Sequence, residues 1–358
     1  MAYLDATVLN DFQANQATNE ALIGRYGMID LAKDSGQFVD YIPPSVREQL
    51  QTMSGARNAQ IPFIKDQQVT VNTTPGFENI PINLGESGTY SFTAYDVFSG
   101  FRVYPASYEN NQIDMQFEVQ ARMSNVLQKM AETIDTTIGT VLSSRKTQYL
   151  GFTDQISQND GTYTFDGATD TLEISKAAQK DAMFYQLPQL MGANKLQGNY
   201  GIVTSPGGLI SSTVEAMKYG PNNDKNLETF QGGIPFSKRF ISDQIATSEN
   251  FDGYLVRDGD LGVIENYPFD FRNGTTVGGH QWSVSDVELP FTRMRANIYV
   301  NTEATKANAL IAPGTDTNLT MSTFEEMAIW HRFYVVYRVN SDLANKQNGV
   351  VKLQGLTS

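Results

Sequence analysis

The sequence predicts an α+β protein. Three observations carry the prediction. One helical register runs unbroken from about 111 to 146, an aromatic strand-like run from Thr89 to Tyr104 precedes it, and short strand and helix signals alternate after it. The helical register rests on Val119, Met123, Val126, Leu127, Met130, Ile134, Ile138, Val141 and Leu142, which recur at spacings of three and four and so share one stripe. Such a rod is roughly 50 Å long, against a mean near 11–12 residues for globular helices. Asn110 or Asn111 supplies an N-cap, Asp114 sits where the helix dipole favours an anion, and Glu118 can pair with Arg122 one turn on. Thr133, Ile134, Thr136, Thr137, Ile138 and Gly139 are poor helix formers, with Gly139 costing about 1 kcal/mol, so tertiary packing must hold the second half.

The remaining elements follow in order. Residues 1–57 read as an extended arm with short helices, one of them running from Ser45 through Met53 after the stiff Pro43-Pro44. The arm has too little apolar surface for its own core and must lie on its own body or on a neighbour. Gln67–Thr74 alternates polar and apolar and turns at Pro75-Gly76, and Thr89–Tyr104 returns, predicting a long hairpin with a bulge near Ala94-Tyr95 where the alternation changes phase. Asn159-Asp160-Gly161 and Asp166-Gly167 predict tight hairpin turns. Ser175–Met191 reads as a helix that Pro188 ends or kinks. Tyr200–Thr204 reads as a buried strand, after which Ser205-Pro206 opens a helix through Met217. Tyr254–Arg257 and Leu261–Glu265 predict a hairpin around Asp258-Gly259-Asp260. Phe291–Val300 reads as a strand, Ile329–Val339 as a central strand with apolar residues on both faces, and Val350–Leu353 as the strand that closes the sheet.

Composition narrows function more than it defines it. The 358 residues, 40% hydrophobic with 20 Phe and 17 Tyr, suffice for two or three packed units. The absence of cysteine removes disulfides, zinc–thiolate sites and thiol catalysis. A formal charge of −13 disfavours a protein that grips nucleic acid by neutralising phosphates. No apolar run reaches the ~18 residues of a membrane span, and Met1–Asp5 lacks the positive-then-apolar pattern of a signal peptide.

No motif points to chemistry. Ser205-Pro206-Gly207-Gly208 lacks the lysine and spacing of a phosphate loop and reads as a capped helix start. The carboxylates of Asp154–Asp170 do not have calcium-loop spacing and read as turn residues. His280 and His331 have no neighbouring ligand in sequence and read as structural. Asn72, Asn273 and Asn318 fit the glycosylation pattern by composition alone. No nucleophile elbow, zinc helix or dinucleotide fingerprint is present, so no catalytic, cofactor-binding or metal-binding residue is expected. The aromatic run Tyr90–Tyr104, with only Arg102 for positive charge, reads as a packing face for protein and not as a stacking platform for bases.

The order of parts, together with Val203-Thr204-Ser205-Pro206, Gly232-Gly233-Ile234-Pro235-Phe236-Ser237 and Gly259-Asp260-Leu261-Gly262-Val263-Ile264, resembles the major capsid protein of tailed bacteriophages, the Hong Kong 97-type fold. The resemblance implies an N-terminal arm at 1–57, an E-loop hairpin at 58–108, a P-domain at 109–175 with the spine helix at 111–146, an A-domain at 176–325 with a mixed sheet and flanking helices, and a P-domain return strand and C-terminus at 326–358. It implies a structural protein and not an enzyme, a subunit that self-assembles into hexamers and pentamers around packaged double-stranded DNA. It also implies a scaffolding protein, a portal and decoration proteins as partners, no membrane, assembly in the host bacterial cytoplasm and a final place in the virion. Tyr90, Phe92, Tyr95, Phe98, Phe101 and Arg102 are then the residues expected at contacts between subunits. Some members of the family crosslink through a lysine. Lys65 is the one lysine in the expected E-loop, and no motif assigns it that role.

Three other readings stand beside this one. An encapsulin-type compartment resembles the same fold but packages an enzyme, and its gene would neighbour that cargo. A tail or surface adhesin suits the aromatic, cysteine-free composition but not the long helix. A carbohydrate-active enzyme fits least.

Overall fold

The structure, a computed structural model, describes residues 25–34, 44–52, 58–64, 73, 87–105, 112–153, 162–181, 183–196, 198–207, 238–266, 275–277, 280–289, 292–304, 324–337 and 347–357. The helices are α1 (Gly27–Asp34), α2 (Pro44–Thr52), α3 (Gln112–Arg145), α4 (Lys176–Asp181) and α5 (Met183–Ala193). The strands are β1 (Asn58–Ile64), β2 (Ser87–Val103), β3 (Tyr163–Asp166), β4 (Thr171–Ile174), β5 (Tyr200–Thr204), β6 (Lys238–Ile241), β7 (Phe251–Arg257), β8 (Leu261–Asn266), β9 (Thr275–Val277), β10 (His280–Leu289), β11 (Met294–Ala304), β12 (Phe324–Tyr337) and β13 (Val350–Gly355). The expected strand Gln67–Thr74 with its turn at Pro75-Gly76, Lys65, the N-cap at Asn110 or Asn111, the turn Asn159–Gly161, the segment Gly232–Ser237 and the glycosylation-pattern asparagines lie outside the described residues, Thr73 excepted.

The long helical register becomes α3, 34 residues in one piece. Its stripe is the spine of the larger core: Val119, Met123, Leu127, Ile134, Ile138 and Leu142 are buried, and Val126 packs partly buried beside them. The weak second half is held as packing demands, and its threonines satisfy themselves. The hydroxyls of Thr133, Thr136, Thr137 and Thr140 each donate to the carbonyl four residues back, at 2.7–3.0 Å. Gly139 has its own reason. A Cβ there would meet the Met28 sulfur at 2.7 Å, so the glycine admits α1.

Two sheets flank this spine. The first has seven strands along β1-β2-β12-β11-β10-β9, with β8 also paired to β12. The second has six in the order β3-β4-β13-β7-β5-β6. Strand β12 is central, as its two-faced apolar pattern predicts: β2 pairs one edge, while β11 and then β8 pair the other. The larger core combines the α3 stripe with α1 and with inward residues such as Phe101, Ile298, Met327 and Phe333 of the first sheet, and it reaches Val203, Tyr254 and Val256 of the second. The opposite face of the second sheet packs Ile202, Leu255 and Leu353 against Leu187 and Leu190 of α5.

Several expectations are corrected. No bulge interrupts β2. Its pairing with β12 runs in constant register from Ala94↔Tyr334 to Val103↔Glu325, and its pairing with β1 from Ser87↔Ile64 to Thr93↔Asn58. The change in apolar phase has another cause: the strand buries opposite faces at its two ends. Phe92 and Ala94 join a cluster with Leu50, Ile264 and Tyr334, whereas Val97, Phe101 and Val103 face α3.

Tyr254–Arg257 and Leu261–Glu265 do not form a hairpin. The turn exists, with Gly259 at φ 87 and Arg257 Nε and Nη2 donating to Asp260 at 3.0 and 3.1 Å, but β7 and β8 enter different sheets. Strand β13 does not close the first sheet; it lies inside the second, parallel to β4 and antiparallel to β7. The expected helix Ser175–Met191 is two helices, and α5 continues past Pro188 because Leu187, Leu190 and Met191 anchor it on both sides. The Ser205 hydroxyl accepts the Asp252 N–H at 3.2 Å, joining β5 to β7 at the point where a helical turn starts at Pro206. Most of that helix's expected course to Met217 lies outside the described residues. The hairpin turn at Asp166-Gly167 joins β3 and β4 as expected, with Asp166 Oδ1 accepting the Ala168 N–H at 2.9 Å.

Of the two destinations open to the arm, its described pieces take their own body. Ile29, Leu31 and Ala32 of α1 are buried in the larger core, and Leu50 of α2 is buried against β8 and β12.

Candidate interaction surface

No group of three or more His, Asp or Glu side chains that could hold a metal occurs among the described residues. His331 is buried. Its Nδ1–H donates to the Arg295 carbonyl at 2.8 Å, its ring stacks at 5.6 Å on Phe333, and burial holds its pKa below the ordinary value. The side chain of His280 lies outside the described residues. No helix among the described residues is long and apolar enough to cross a membrane.

What the fold does present is the outer face of the seven-stranded sheet. Odd-numbered residues of β2 from 97 onward point at α3, so Asp96, Phe98, Gly100 and Arg102 point away from it. One end of this outer face is covered by α2 through Leu50, Ala94, Tyr334 and Val336. The other end is filled by Tyr104, Ala304 and Phe324, with the Arg102 guanidinium 5.0 Å above the Phe324 ring and 3.7 Å from the fully buried Glu326 carboxylate. Between them lies a window around Phe98, whose side chain is 76% exposed.

The window is built rigidly. Phe98 is register partner to Trp330, and Asp96 to Arg332. The Asp96 carboxylate accepts Nε and Nη2 of Arg332 at 2.5 and 3.2 Å and the Trp330 indole N–H at 3.1 Å. The same guanidinium lies 4.8 Å over the Trp330 ring. One carboxylate therefore fixes a cation and an indole beside an exposed phenyl ring, an aromatic anchor with a satisfied polar rim.

The six residues expected at subunit contacts separate on this geometry. Phe98 is open. Phe92, Phe101 and Arg102 are buried within the chain, and Tyr95 is half-buried and stacked on Phe333 with ring centres 5.6 Å apart. The side chain of Tyr90 lies outside the described residues. Sequence reasoning missed Asp96, Trp330 and Arg332, which strand register alone unites, and Phe117 of α3, which is 74% exposed. Phe117 left a signal: it stands two residues off the buried stripe, on the opposite side of the helix.

The chain matches no protein-family model. No curated protein sequence matches it. Solved structures similar to it include three capsid structures. The cyanophage A-1(L) capsid asymmetric unit is 13% identical, with 94% of each chain covered and a TM-score of 0.47. The capsid structure of cyanophage P-SCSP1u is 12% identical, with 86% of each covered and a TM-score of 0.43. The capsid of Ralstonia phage GP4 is 11% identical, with 85% of this chain and 84% of that one covered and a TM-score of 0.42.

Proposed function

We propose that the chain is the major capsid protein of a tailed bacteriophage, a structural subunit without catalysis that assembles into hexamers and pentamers enclosing genomic DNA. The observation that carries the reading is the ribbon β1–β2. Its outer part, Ser87–Thr93, has β1 as its strand partner, and among the described residues β1 pairs with β2 alone. Gln60, Thr89, Ser91 and Thr93 along it are exposed. A two-stranded ribbon is marginal in water and is stabilised by lying on another surface. The ribbon corresponds to the E-loop of the family that the sequence resembles, α3 to its P-domain spine and β12 to its P-domain return strand.

In this reading Phe98 and its Asp96–Arg332–Trp330 surround meet a neighbouring subunit, with Tyr90 further out on the ribbon. A scaffolding protein, the portal and decoration proteins are the further partners, packaged DNA lies against an acidic protein without base-specific contacts, assembly takes place in the bacterial cytoplasm and the product resides in the virion. Electron microscopy of the purified protein, with and without the scaffold, tests it: shells or ring-shaped capsomers are expected. Phe98→Glu should weaken assembly at least tenfold in critical concentration while leaving the circular-dichroism melt in place. A chain that stays monomeric in every condition overturns the proposal, as do shells that form around a cargo enzyme instead of DNA.

A further inference from the structure

At the middle of the spine, Asp135 is a fully buried carboxylate that accepts from two other parts of the chain. The Ile29 N–H donates to Oδ1 at 2.9 Å, and the Met28 N–H adds a second bond from the first turn of α1. The Ser242 hydroxyl, just past β6, donates to Oδ2 at 2.5 Å. Ser242 is itself bridged to Tyr26, and the Asp243 N–H donates to the Arg25 carbonyl at 3.1 Å. One side chain thus ties α3, α1 and the β6 edge of the second sheet together. Met28 fills the notch at Gly139 one turn along α3, and Gly27 lies against the Ile241 backbone, so the same docking is closely fitted by shape.

The charges that face the joint are mixed. Asp30 of α1 is the acid that acts on Asp135, while Glu132 of α3 and Asp243 beyond β6 face Tyr26; Arg293 faces Asp30, and Lys129 pairs with Glu132 at 2.6 Å. The nearest cation on α1, Lys33, is engaged at the other end of the helix, 3.2 Å from Glu265 and donating to the Arg293 carbonyl at 2.5 Å. His331 lies near that second pair. Asp135 has no ion-pair partner among the described residues.

We propose that Asp135 is a proton-operated latch that docks the segment Tyr26–Asp34 onto the spine, holding it tighter when the carboxyl carries a proton. Three donated bonds favour the ionised form, but burial without a countercharge outweighs them, and the Asp135 pKa is pushed up from 3.8 to about 6. Undocking exposes the carboxyl and returns it to its ordinary value, so the docked state takes up a proton that the undocked state releases. Docking therefore strengthens as pH falls from 7.5 to 5, by about tenfold in the docking equilibrium, and loosens as pH rises through 6. When protonated, Asp135 can donate to Ser242 Oγ and keep the joint satisfied.

Hydrogen exchange of the 25–34 peptide in the full-length protein, corrected for intrinsic rates, reads the latch. Protection about tenfold higher at pH 5 than at pH 7.5 is expected, and in Asp135→Asn that pH dependence should fall to the smaller part contributed by Asp30, whose carboxyl burial also holds above its ordinary value. His331 and the other titrating groups act equally in both proteins, so the comparison isolates Asp135. Ser242→Ala removes a bond that favours the ionised form and should move the midpoint to higher pH, which decides the matter if Asp135→Asn does not fold. An unchanged pH dependence in Asp135→Asn, or a midpoint in Ser242→Ala that stays or falls, overturns the proposal.

Discussion

Asp96 and Phe98, two residues apart on one strand face, divide the labour of the open window. Asp96 satisfies Arg332 and Trp330, whereas Phe98 makes its surface available. Removing the carboxylate leaves a guanidinium only 8% exposed without its bidentate partner. Asp96→Ala should therefore cost about 2–3 kcal/mol of folding stability, measured by denaturant unfolding. Phe98 stands beside this network but takes no part in its hydrogen bonds and is exposed, so Phe98→Glu should change stability by about 0.5 kcal/mol or less and separates assembly from folding. At this scale the sequence was only partly legible. The aromatic richness of Tyr90–Tyr104 is plain in it, but which rings face solvent depends on strand register and on what covers each face. Of the six residues expected at contacts, Phe98 is open, and Phe92 and Phe101 are buried because α2 and α3 cover opposite faces of the same strand.

At the scale of elements, long and strongly periodic segments and the tight β3–β4 hairpin read correctly, whereas the sheet partners of β7, β8 and β13 did not. The helix 111–146 appears as Gln112–Arg145, because a stripe repeated over nine turns leaves one geometry that buries it. The strand at Ile329–Val339 appears as part of the longer Phe324–Tyr337, with 338 and 339 outside the described residues. The supposed hairpin around Asp258–Asp260 failed because turn chemistry specifies a reversal of the chain, not which sheet receives the outgoing strand. Close approach between elements leaves its mark in glycine. A Cβ on Gly27 would lie 2.4 Å from the Ile241 carbonyl oxygen, and backbone gives way less readily than a side chain. Gly27→Ala should destabilise the chain by about 1–3 kcal/mol in thermal or denaturant unfolding, despite its better helix propensity.

For the whole molecule, charge sets the conditions of association. Each chain carries a formal −13, so in the proposed assembly copies would repel at long range while apolar contacts would attract at short range. The Debye length falls from about 10 Å at 0.1 M to about 3 Å at 1 M salt. Raising salt across that range should speed assembly followed by light scattering, and a slower rise would indicate that cross-subunit ion pairs dominate. The sequence by itself determined the class of fold, the long spine, the central strand and the absence of thiol chemistry, since these follow from local periodicity and composition. Tertiary structure alone decided that β7 and β8 belong to different sheets, that β13 lies inside the second sheet, that α1 returns to the spine, and that Asp135 is sealed beneath it. The reason is physical. Periodicity reports which face of a segment is buried, but the partner that buries it is chosen by contacts across more than a hundred residues, as between Ile29 and Asp135.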